Sequence, residues 1–136
     1  MLGELIDQHP ESGEYRYDFA QGNAQLGGIL EVMGASDEGL AHRVRAMELA
    51  SELVERDPID LANLSILGSF QTHVGRAYAA WGRLDEAESL LKKSLAAHRL
   101  LIDKFRDSPK HYSEYCHAGD SLVAVVIRSR NDVETC

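Results

Sequence analysis

Six histidines (His9, His42, His73, His98, His111 and His117) and two cysteines (Cys116 and Cys136) have the widest chemical range in this 136-residue chain. Histidine can ligate a metal or move protons near neutral pH, and cysteine can attack as a thiolate. Both chemistries need partners at fixed spacing. No two histidines stand four apart around a glutamate, the arrangement that puts two imidazoles and a base on one helical face for a hydrolytic zinc. His111 and His117 are six apart, which sends them to different sides of a helix. His73 and His117 could meet across neighbouring helices, but two ligands make a poor metal site, so a small metal-dependent helical enzyme is the weakest reading. Cys116 adjoins His117 in the chain, yet successive helical residues point about 100° apart, so the thiol reads as packed and not as half of a dyad. The cysteines are too few and too far apart for a disulfide framework or a zinc knuckle. Gly22, Gly27 and Gly28 do not have phosphate-loop spacing, and no Gly-x-Ser-x-Gly elbow occurs. The expectation is a chain with no catalytic residue, no cofactor and no metal.

Charge narrows the partners. Lys and Arg total 14 against 22 Asp and Glu, a net charge of −8. Phosphate backbones and anionic membranes both select clustered cations, so neither nucleic acid nor a membrane is expected as a partner. The longest purely apolar run, Leu122 to Ile127, is far below the ~20 residues of a membrane span. A cytoplasmic, reduced protein is expected. Hydrophobic residues make up 44% of the chain, enough for a packed core.

The elements that must carry these side chains follow from self-similarity at a shift of 48 residues. Leu5 falls on Leu53, Pro10 on Pro58, Gly27 on Gly75 and Gly34 on Gly82, while Asp37-Glu38 falls on Asp85-Glu86. A second shift places Leu5-Ile6-Asp7 on the identical Leu101-Ile102-Asp103. Apolar rows fill in between, such as Phe19, Leu67 and Tyr115, or Leu26, Val74 and Leu122. Three units result, about 5–52, 53–100 and 101–130. Inside each, apolar residues recur every three or four positions, the period of an amphipathic helix. The spacing predicts helices over 12–33, 36–56, 60–81, 84–105 and 109–129, joined by connections short enough to make successive helices antiparallel neighbours. Gly34 and Gly82 suit left-handed helix ends, Ser36 and Ser108 suit helix starts, Pro109 suits a first turn, Asp57-Pro58 ends a helix and Asp60 can begin another. His98 falls on the apolar stripe of the fourth helix and is expected to be part of the core.

Gly82-Arg83-Leu84-Asp85-Glu86-Ala87-Glu88-Ser89-Leu90-Leu91-Lys92-Lys93-Ser94-Leu95 resembles the turn and second helix of a tetratricopeptide repeat, and Val74-Gly75-Arg76-Ala77-Tyr78 is similar to that repeat's first helix. The first unit departs from the pattern at Gly39 and Arg43, which stand where a small and a large apolar residue follow the turn. The family's tryptophan position holds Asn23, Gln71 and Gly119, and the period exceeds the family's ~34 residues. Longer units of this kind resemble the arrays appended to bacterial serine/threonine protein kinases, although no kinase motif occurs. The resemblance implies an all-α solenoid of helical hairpins: two long hairpins plus a terminal helix, forming one domain and part of a longer array. Met1 to Asp7 would be the tail of a preceding second helix.

In that family, first helices line a concave groove that grips a partner segment. Carried over, the lining would be Gln21, Gln25 and Glu31, then Ser69, Thr72, His73 and Arg76, then His117, Asp120 and Ser121. Arg76 is the only permanent cation among them, too few to clamp a doubly ionised chaperone tail. The implied function is non-catalytic binding of a protein or peptide, with a neutral or weakly basic segment suiting Glu31 and Asp120. As an alternative, Leu122, Val123, Val125, Val126 and Ile127 surround much of the last helix and invite self-association through it.

Overall fold

The structure, a computed structural model, describes residues 13–135, and the side chains of residues 16–131. The expected second-helix tail at Met1 to Asp7, together with His9, Pro10 and Cys136, lies outside the described residues. Five helices follow one another: α1 (Gly13–Val32), α2 (Ser36–Arg56), α3 (Leu61–Ala80), α4 (Leu84–Lys104) and α5 (Pro109–Thr135). The described residues form an all-α chain of antiparallel helices without strands, as the period predicts. α5 runs six residues past its expected end. The apolar stripe stops near 129, but neither glycine nor proline follows to halt the backbone.

The chain divides into two compact units, Met1–Phe70 and Gln71–Cys136, with α3 contributing residues to each. In unit 1 the core joins Ala20 of α1 to Ala46, Leu49 and Ala50 of α2 and to Leu67 and Phe70 of α3. α1 leaves its last turn through Gly34 at φ 88°, where the Ala35 N–H reaches the Leu30 carbonyl and the Gly34 N–H the Glu31 carbonyl. That pair of bonds satisfies carbonyls at the helix end, and it needs a left-handed residue that only glycine adopts cheaply. Ser36 is not the cap of α2: Ala35 occupies that position without a side-chain bond, and Ser36 is already helical. The closure at Gly34 sets the start of α2, and Asp37 and Glu38 supply negative charge to its first turn instead. Asp60 does start α3, its carboxylate accepting the Ala62 N–H at 2.9 Å.

α1 and α2 touch backbone to backbone. A Cβ added to Gly27 would sit 2.7 Å from the Gly39 carbonyl oxygen, and one added to Gly39 would sit 2.7 Å from that of Gly27. Arg43 lays its stem over the gap and donates to both Glu31 oxygens, at 2.9 and 3.2 Å, while Arg16 pairs with Glu52 at 2.9 Å. Asn23 is buried and bonds the Phe19 carbonyl at 3.0 Å and the His42 ring at 3.0 Å.

In unit 2 the core is Ala87, Leu91 and Val125, flanked by Tyr78, Ala79, Leu84 and Leu122. The turn of unit 1 recurs at Gly82, φ 84°, with the Arg83 N–H on the Tyr78 carbonyl. Arg83 stacks 4.2 Å over the Tyr78 ring and pairs with Glu86; the Glu86 hydrogen bond raises its already high pKa. His98 is fully buried, its Nδ1 3.3 Å from the Glu114 carboxylate of α5.

Candidate partner-binding cleft

α3 carries one side chain that is charged at neutral pH, Arg76. It is exposed near the helix's C-terminal end, with Ala79 one turn further along the same face. Along α5, His117, Asp120, Ser121, Ala124 and Arg128 recur every three or four residues and therefore share a stripe. In unit 2 these two stripes border a cleft of about 400 Å³, floored by Val125. The floor is fixed, because Val125 belongs to the core with Leu91 and Ala87.

One wall is tied to the helix end that it faces. The Arg128 guanidinium donates to the Ala79 carbonyl at 2.5 Å. The Ala79 carbonyl also accepts the Gly82 N–H at 3.1 Å, and because it lies at the negative end of the helix dipole a cation suits this place as a second donor. The cleft thus presents two guanidinium groups, one carboxylate, an imidazole and a hydroxyl above small apolar side chains. This set can hydrogen-bond and pair with a charged segment. It places no activated nucleophile, and among the described residues no three His, Cys, Asp or Glu side chains come together to hold a metal.

The structure brings Arg76, His117, Asp120 and Ser121 together in this cleft. The other expected groove residues stand elsewhere. Thr72 faces inward, buried, with its hydroxyl 2.5 Å from that of Ser94 on α4. It lies one turn before Gly75, the residue pressed against Leu91, and so shares the face turned to α4. His73 is exposed on α3 and is not part of the cleft lining. In unit 1, Gln21 donates to the Tyr17 hydroxyl at 3.4 Å and Ser69 is half-buried. Glu31 is drawn towards α2 by Arg43, and Gln25 borders a separate apolar hollow on α1 with Gly28, Ile29, Val32 and Met33.

Arg128 is the residue that sequence reasoning missed. Its signal was its distance of seven from Ser121, two turns along the same face, but the carried-over pattern stops at Ser121. Among the described residues, no helix is long and apolar enough to cross a membrane. Comparison of the chain with family models, with curated proteins and with solved structures found no match.

Proposed function

We propose that this chain is a non-catalytic interaction module of the tetratricopeptide type that holds a segment of a partner protein in the cleft between α3 and α5 of unit 2. One observation carries the reading: Arg76 and Arg128 converge with His117, Asp120 and Ser121 above an apolar floor. Rigid helices hold these groups, so little ordering entropy is lost when a segment binds. Small floor residues leave room for a side chain to enter, and the charged rim orients it.

Arg128 changes the sign of the partner. With two guanidinium groups facing one carboxylate, the cleft suits a segment bearing an acidic side chain, not the neutral or weakly basic one that Glu31 and Asp120 alone would favour. Glu31 is already satisfied by Arg43.

The test is a titration of fluorescent peptides, each with one Asp or Glu between small apolar residues, alongside their Asn or Gln analogues. Acidic peptides should bind more tightly. Arg76→Gln and Arg128→Gln should each weaken them about tenfold, the loss of one charge-assisted hydrogen bond, and Asp120→Asn should strengthen them. Equal binding of acidic and neutral peptides, or unchanged affinity in both arginine variants, would overturn the reading.

A further inference from the structure

Register-equivalent faces of the repeat are filled in unit 2 and open in unit 1. On α5, Ser121, Ala124, Val125 and Arg128 face the end of α3, and Val125 is only 4% exposed beside Tyr78 and Ala79. Two repeat lengths earlier, the same helical positions on α1 are Gln25, Gly28, Ile29 and Val32. There Ile29 is 57% exposed and Val32 90%, and with Met33 they border an open hollow free of formal charge. α5 has the reverse vacancy. The positions equivalent to Tyr78 and Ala79, which pack against the core cluster that contains Val125, are Val126 and Ile127, and Ile127 is 55% exposed.

From this pairing of open faces we propose that the Val126–Ile127 ridge of one copy docks on the Ile29–Val32 face of a second copy. The contact continues between molecules the packing that α3 already makes with α5 inside unit 2. By register, Val126 and Ile127 are the residues that the α1 face lacks. Both surfaces are apolar, so joining them buries no unpaired charge despite the net charge of −8. The contact is heterologous, because two different faces of the same chain meet. A few side chains cover less than the ~800 Å² per partner of a stable complex, so the association is weak, with Kd on the order of 10–100 µM. Neither Val126 nor Ile127 lines the acidic-segment cleft, so this inference stands apart from that reading.

Sedimentation velocity from about 5 to 500 µM, a range spanning that Kd, tests the docking. The weight-average mass of the unaltered chain should rise above 15.1 kDa with concentration. Ile29→Glu and Ile127→Glu should each remain monomeric, while Leu100→Glu, an equally charged change at an exposed site on α4, should still associate. An equimolar mixture of the two isoleucine variants should regain association and stop at a 1:1 pair, since each retains the face that the other lost. If circular dichroism shows either variant unfolded, Ile29→Ser and Ile127→Ser replace them. A concentration-independent monomer overturns the proposal. So does dissociation by one variant alone, which marks a symmetric pairing of α1 or of α5, and so does a mixture that stays monomeric.

Discussion

In unit 1, Gly27 on α1 lies against Gly39 and Arg43 of α2; in unit 2, the register-equivalent Gly75 on α3 lies against Ala87 and Leu91 of α4. The positions are the same, yet the closures differ. Unit 1 brings two peptide backbones into contact and bridges them with the Glu31–Arg43 pair, where unit 2 has Ala79 in place of the acid and fills the seam with a fully buried leucine. The three exchanges belong together. A closer approach made possible by Gly39 leaves no room for a branched side chain, so a long stem with a charged head covers the gap. Departures from a repeat pattern that look like decay in one sequence position are thus one alternative packing solution.

The largest effect should come from Leu91→Ala, which empties a wholly buried site in the apolar seam and should lower stability by about 3 kcal/mol in urea unfolding. Gly27→Ala should cost about 2 kcal/mol by the same measurement despite alanine's better helix propensity, because the new methyl meets a carbonyl oxygen at 2.7 Å. Gly75→Ala should cost about 1 kcal/mol or less, since its nearest neighbour, at 3.0 Å, is the Leu91 side chain. Equal costs at the two glycines would erase the distinction between the seams. Arg43→Ala should remove about 1 kcal/mol, and added salt should shrink that difference, because the pair is partly exposed. Leu91→Ala should show no such salt dependence. Smallest of all, Arg83→Ala should shift the thermal midpoint only slightly, because both its ion pair with Glu86 and its stack on Tyr78 lie at the surface.

Much of this architecture was legible because turns and stripes are local. Gly34 and Gly82 adopt positive φ where the repeat places them, Asp60 caps α3, and His98 lies in the core. What was not legible depends on neighbours. Thr72 sits on the border between a solvent stripe and the face turned to α4, and only the Ser94 hydroxyl decides its direction. Asn23 and Gln71, at positions where the resembled family has an aromatic residue, are buried; the satisfaction of Asn23 by the Phe19 carbonyl and His42 cannot be read from spacing. Half of the cleft was visible as charge on a helical face. The Arg128 wall was not, because its anchor is a main-chain carbonyl 49 residues away.

Where Gly27 meets Gly39, neither partner has a rotamer to relax. The seam of unit 2 is closed by a leucine side chain, which has rotamers to exchange, but two touching peptide planes have a single setting. Rocking in this chain should therefore fall to the leucine-filled joint, with the glycine joint as the stationary hinge pin.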